Sequence, residues 1–95
     1  MSDEPAFEWD EAKSLENLRE RGFDFEFATR IFDAPRIEEE DFRKNYGERR
    51  IVATGKIEDG FFVVVYTQRG ERRRIISARP AKRKERDGYY KAYPG

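Results

Sequence analysis

Apolar positions recur along this chain with two different periods, and the period changes near residue 36. Phe7-Glu8-Trp9 alternates apolar and polar, which predicts a short strand. Asp10 stands where a side chain caps a helix start, and the spacing that follows predicts a helix over about 11–21. Ala12, Leu15 and Leu18 fall on one stripe of that helix, the side expected to face the core, and Gly22 closes it. Asp24 begins a second helix with Phe25, Ala28 and Phe32 on one side, Phe27 and Ile31 alongside, and Pro35 as its stop. The linker between the two helices is short, so they are expected to pack together.

From Arg36 onward the period falls to two. Residues 37–42 form a weak, acidic strand candidate suited to a sheet edge, and Asn45-Tyr46-Gly47 predicts a turn. Residues 50–57, 61–66 and 72–79 predict an antiparallel meander with two-residue turns at Asp59-Gly60 and Arg69-Gly70. The stretch 61–66 is apolar on both faces, as a central covered strand would be. Pro80 suits the first turn of a final helix through Lys82, Arg83, Lys84 and Arg86, weakened at Gly88 before Tyr89 and Tyr90. Strand, two helices, meander and helix make a small α+β domain with helices against a twisted antiparallel sheet. One domain over 1–95 is enough, with 1–6 as an unordered tail.

Composition narrows the function classes. The chain has no cysteine and no histidine, which removes disulfides, thiolate nucleophiles and imidazole chemistry together. No apolar run approaches the 18 or so residues that cross a bilayer, and the acidic N-terminus shows no secretion signal, so a cytoplasmic protein is expected. The net charge of zero hides a segregation. Residues 1–42 carry 14 Asp or Glu against 5 Lys or Arg, whereas residues 43–95 carry 15 Lys or Arg against 6 Asp or Glu. A basic half of this kind is the footprint of a polyanion-binding surface, with nucleic acid the first candidate. Neutralisation of one half by the other across the fold is the competing explanation. Glu38-Glu39-Glu40-Asp41 does not read as a metal site, because neighbouring acids on a strand point to opposite faces and no His or Cys completes a shell. No metal and no cofactor is expected.

Several ordered motifs together resemble the BrnT family of ribonuclease toxins. Phe7-Glu8-Trp9-Asp10, Lys13, Asn17 and Gly22 match its opening, followed by Phe25 with Ala28, Phe32-Asp33 and Tyr46-Gly47-Glu48-Arg49. Val63-Val64-Val65-Tyr66-Thr67, Arg69-Gly70, Arg74-Ile75-Ile76-Ser77-Ala78-Arg79 and the basic stretch Lys82-Arg83-Lys84-Glu85-Arg86 complete the series, over roughly residues 7–90. The resemblance implies a RelE-like fold, RNA cleavage that inhibits translation, and growth inhibition. It also implies neutralisation by a BrnA-like ribbon-helix-helix antitoxin in a heterotetramer that meets operator DNA only through the antitoxin. One departure concerns chemistry. Many members carry His just before the glycine that ends the first helix, and here that position is Arg21, which cannot shuttle protons near neutral pH.

Cleavage without a metal requires a positioned 2′-hydroxyl, stabilisation of the extra negative charge, and help for the departing 5′-oxygen. With the two turns above, Lys56 would face Val63, Tyr66 would face Arg73, and Phe62 would face Ser77. Alternation would then gather Tyr66, Arg73, Ile75, Ser77 and Arg79 on one face and leave Val52, Val63, Val65, Ile76 and Ala78 for the helices. A three-residue second turn would reverse the third strand. The catalytic candidates are Arg79, Arg73, Tyr66 and Arg69. Arg79 leads them as a bidentate phosphate ligand, with an ion pair to the acidic half as its equal alternative. Arg83, Arg86, Arg50, Arg49 and Lys44 are candidates for RNA contacts, or simply solvated surface charge. A non-catalytic nucleic-acid-binding or antitoxin-binding module on the same basic half is the other reading of the chain.

Overall fold

The computed structural model describes residues 6–94, so the expectation of an unordered tail falls mainly on residues outside it. At its inner end Ala6 already accepts a hydrogen bond from the Arg73 N–H at 2.9 Å. In chain order the elements are β1 (Phe7–Trp9), α1 (Glu11–Arg21), α2 (Phe25–Ala28) running into a 3₁₀ turn (Thr29–Asp33), β2 (Arg36–Glu40), β3 (Ile51–Ile57), β4 (Gly60–Arg69), β5 (Arg72–Pro80) and α3 (Arg83–Ala92). The five strands form one sheet in the order β1-β5-β4-β3-β2, with β1 parallel to β5 and the other pairs antiparallel. No helix among the described residues is long and apolar enough to cross a membrane.

The helix starts obey their caps. Asp10 accepts from the N–H groups of Ala12 and Lys13, Asp24 accepts from Phe27, and Gly22 takes a left-handed φ of 85° to end α1. The buried side of α1 is not the predicted one. Ser14 and Asn17 face inward, while Leu15 and Leu18 are 50% and 44% exposed. Both inward polar groups are satisfied by the next segment. Ser14 Oγ accepts the Phe25 N–H at 3.0 Å, and Asn17 Nδ2 donates to the Phe23 carbonyl at 3.0 Å. A polar residue that caps a neighbouring backbone group is cheap to bury, and here it outranks the leucine stripe.

Phe23, Phe25, Ala28 and Ile31 pack on the sheet face made by Ala53, Ile57, Val64, Tyr66, Ile75 and Ala78. Tyr66 therefore lies under the first helices, which corrects the expectation that they cover the face of Val52, Val63 and Val65. That second face receives α3 instead, through buried Tyr89, whose ring meets Phe61 at 5.5 Å and whose hydroxyl donates to the Pro35 carbonyl. Pro80 closes β5 opposite Phe62 instead of opening the helix, and Gly88 leaves α3 unbroken.

Both hairpin turns sit one residue away from their predicted places. The first turn is Glu58-Asp59, with Gly60 already paired to Ile57, and the second is Gly70-Glu71, with Arg69 opposite Arg72. Gly70 supplies the positive φ that a tight hairpin needs, at 61°. Gly60 serves a different purpose, since a Cβ there would meet the Phe62 ring at 2.8 Å. Each register moves by two residues, so Lys56 faces Phe61 and Tyr66 faces Ile75, and no side chain changes face on that account. A bulge then intervenes. Tyr66 pairs Ile75 but Val65 pairs Ser77, so Ile76 is the extra residue on β5. Beyond it, Ala78 turns into the core, and Ser77 and Arg79 turn onto the face of Val63 and Val65. Arg73 and Arg79 consequently lie on opposite faces, and the single pocket expected to hold both does not exist.

Candidate active site

The end of the sheet where β3 begins and β4 finishes gathers Tyr66, Arg73 and two residues of β2. The Tyr66 hydroxyl crosses above β3 to donate to Glu38 Oε2 at 2.8 Å, and Arg36 Nε donates to the same oxygen at 2.8 Å. Phe32, at the end of the 3₁₀ turn, is the hub. Its ring meets Tyr66 edge-on at 5.3 Å, and the guanidiniums of Arg36 and Arg73 stack on it at 4.8 and 4.5 Å. Arg73 also lies 5.6 Å from the Tyr66 ring, and its buried Nε has no hydrogen-bond partner among the described residues. Cation–π contact with two rings thus holds this guanidinium beside the Tyr66 phenol.

Electrostatics divides the two oxygen acids. Burial alone would raise the Glu38 carboxyl, but hydrogen bonds from Arg36 and Tyr66 and the charges of Arg36 and Arg73 outweigh it and hold the group below its ordinary value. Burial raises the Tyr66 phenol, and the hydrogen bond and charge of Glu38 add to that against the opposing pull of Arg73. At neutral pH the pair is a carboxylate beside a neutral phenol. A pocket of ≈ 500 Å³ opens beside them, lined by Glu38, Arg49, Ile51, Tyr66, Gln68 and Arg69. Arg49 is tied to Glu40 at 2.7 Å and Arg69 to Glu48 at 3.6 Å, so these two frame the pocket as ion-paired arms, and Arg50 holds the same Glu48 at 3.3 Å from outside its lining.

Arg79, the leading candidate from sequence, sits elsewhere. On the far face it forms a bidentate pair with Glu85 of α3, both contacts 2.7 Å, and the Glu85 carboxylate also accepts the Lys82 N–H. The Glu85 hydrogen bonds raise the Arg79 guanidinium above its ordinary range, and those of Arg79 pull the Glu85 carboxyl down to about 2. Arg79 is thus ion-paired, but with a carboxylate of its own basic half and not with the acidic half. Arg83 is exposed and 4.0 Å from Asp87, Arg86 is exposed on the same helix, and Lys44 packs over Tyr46 at 5.2 Å. The structure therefore unites Tyr66, Arg73, Arg69, Arg49 and Arg50 at one end of the sheet and leaves Arg79, Arg83 and Arg86 beside α3.

Glu38, Arg36 and Phe32 were not singled out by sequence reasoning. The signal was present in part, because strand alternation places Glu38 on the opposite face from Glu39. The register sets Glu38 against Ala53, on the core face that also carries Tyr66.

The family model for the ribonuclease toxin BrnT of type II toxin–antitoxin systems matches residues 9–85 of the sequence. The chain belongs to the BrnT family. No curated protein matches it. The matched span contains every strand pairing of the meander, the Glu38–Tyr66–Arg73 cluster and the Arg79–Glu85 pair. BrnT membership makes this a member of a ribonuclease toxin family, with an antitoxin as the implied partner.

Proposed function

We propose that this BrnT-family protein is a metal-independent endoribonuclease whose proton-transfer centre is the Tyr66–Glu38 pair. The observation that carries the reading is the 2.8 Å hydrogen bond from the Tyr66 hydroxyl to a carboxylate held ionised beside the Arg36 and Arg73 guanidiniums. A phenol already giving its proton to Glu38 has a lone pair free to take the proton of a substrate 2′-hydroxyl. The 2′-oxygen attacks phosphorus as its proton passes to the Tyr66 oxygen and the phenol proton passes to Glu38. Arg73, with Arg36 beside it, stabilises the charge that grows on the phosphoryl oxygens. The 5′-oxygen leaves with a proton from solvent, which gives a 2′,3′-cyclic phosphate and a 5′-hydroxyl. This relay replaces the missing imidazole with two groups in hydrogen-bond contact.

The test is cleavage of an end-labelled RNA by the purified protein in excess chelator, with product ends identified. Cyclic phosphate ends are expected, and Tyr66→Phe should cut the rate by about 10²-fold or more while its melting stays that of the parent. No cleavage by protein shown to be folded would sink the proposal. The absence of histidine and the locked state of Arg79 favour one other reading, a module that binds nucleic acid or antitoxin without cutting. It predicts salt-sensitive binding to intact RNA. Family resemblance further supports a RelE-like fold, inhibition of translation, a cytoplasmic location and a BrnA-like ribbon-helix-helix antitoxin in a heterotetramer. Growth arrest on expression without that antitoxin, relieved by its co-expression, tests those points together.

A further inference from the structure

The loop 41–50 between β2 and β3 is fastened from within and presents one aromatic ring to solvent. The buried Asp41 carboxylate accepts from Arg43 N–H, Nε and Nη2 at 3.0, 3.0 and 2.9 Å and from the Tyr46 hydroxyl at 3.1 Å. Its own N–H donates to the Arg50 carbonyl at 2.8 Å. Asn45 Oδ1 accepts the Gly47 N–H, and the Arg50 guanidinium stacks on Tyr46 at 3.9 Å. Against this ordered interior, Phe42 is 79% exposed and the Arg43 side chain 77% exposed. The segment Phe42-Arg43-Lys44-Asn45-Tyr46-Gly47-Glu48-Arg49-Arg50 carries four cations against one acid.

We infer that Phe42 is a stacking platform for an unpaired nucleobase of the RNA substrate, with Lys44 and Arg43 on the flanking phosphates. A bare ring on a basic surface is the arrangement by which proteins hold single strands, because every base offers a face to stack and every linkage a charge to neutralise. Rigidity matters as much as chemistry, since a ring fixed in advance loses little freedom on binding. The position also fits. Glu40, Ile51 and Tyr66 form one register row across β2, β3 and β4, and Phe42 stands two residues beyond it, roughly 7 Å along the strand direction. Beside Phe42, on the face of Val52 and Val65 and away from Tyr66, a groove of ≈ 610 Å³ leaves room for the base. Of its four carboxylates, Glu40, Asp41 and Glu85 are already bound to Arg49, Arg43 and Arg79, while Glu39 lies at its edge. The inference rests on the nuclease reading only in taking RNA as the ligand.

The experiment titrates a single-stranded 2′-O-methyl RNA, which internal attack cannot cleave, so binding is measured apart from catalysis. Phe42→Ala should weaken binding about tenfold or more without changing the slope of log K against log salt, whereas Phe42→Trp should keep the affinity. Lys44→Ala should lower that slope by about one phosphate contact. A blunt duplex of the same sequence should bind the parent and Phe42→Ala alike. Parent-like binding by Phe42→Ala, or equal binding by Phe42→Leu and Phe42→Trp, overturns the assignment, as does failure of the parent to bind the single strand. Loss of antitoxin binding with RNA binding intact in Phe42→Ala would make the ring a protein contact instead. A parent that binds but does not cleave ordinary RNA refutes the nuclease and leaves the stacking site in place.

Discussion

Glu85 shows how one carboxylate joins local and long-range structure. It accepts the Lys82 N–H at the start of α3 and both terminal nitrogens of Arg79 on β5. Its carboxyl is lowered from 4.5 to about 2, chiefly by the Arg79 hydrogen bonds. The folded value lies below the unfolded one, so the contribution to stability is complete above the ordinary value and disappears as pH falls from 4.5 towards about 2. Glu85→Gln should therefore melt below the parent at neutral pH, and the gap should close over that acid window in thermal denaturation followed by circular dichroism. A gap independent of pH would mean that Glu85 acts through shape alone. Among single residues, the sequence pointed to Tyr66 and Arg73 for the site, and they do meet. It missed Glu38, Arg36 and Phe32, because the contact that gives Glu38 its meaning spans 28 positions and depends on β3 lying between β2 and β4.

Element identity was largely legible, because caps and periods act over a few residues. Asp10 and Asp24 start their helices and Gly22 ends one, as their side chains and backbone freedom require. Orientation was less legible, as α1 shows by burying Ser14 and Asn17. Close packing of the 3₁₀ turn on β3 is a further matter of elements, not residues. A Cβ at Gly55 would come within 2.8 Å of Ile31 Cβ and 3.3 Å of its Cγ2, and Ile31 is fully buried. Gly55→Ala should push the turn off the strand and cost about 1–3 kcal/mol, read as a lower urea midpoint at unchanged slope. An unchanged midpoint would show that the turn can shift freely. Since Phe32 belongs to the same turn and supports both arginines of the site, the same variant tests how firmly that turn is seated.

For the molecule as a whole, the charge asymmetry has two outlets. Arg74–Glu8, Arg49–Glu40 and Arg43–Asp41 join the basic half to the acidic one, as simple neutralisation would have it. Arg73 instead rests on the Phe32 and Tyr66 rings with its charge acting on Glu38, and Lys44 rests over the Tyr46 ring. If Arg73, Arg49, Arg69 and Lys44 each meet a phosphate, log K for a single-stranded RNA should fall against log salt with a slope of about −3, from about 0.7 per contact. A slope near zero, measured by anisotropy over a salt series, would remove the basic surface from the account. Periodicity and capping along the chain were enough to determine an α+β domain, its strands and helices, and the absence of imidazole and thiol chemistry, because those properties are local or compositional. Which residues share a site was decided only in three dimensions. A single extra residue at Ile76 turns Arg79 away from Arg73, and strand order brings Glu38 under the Tyr66 hydroxyl. Both depend on pairing between distant segments, where one step of register exchanges the faces of a strand.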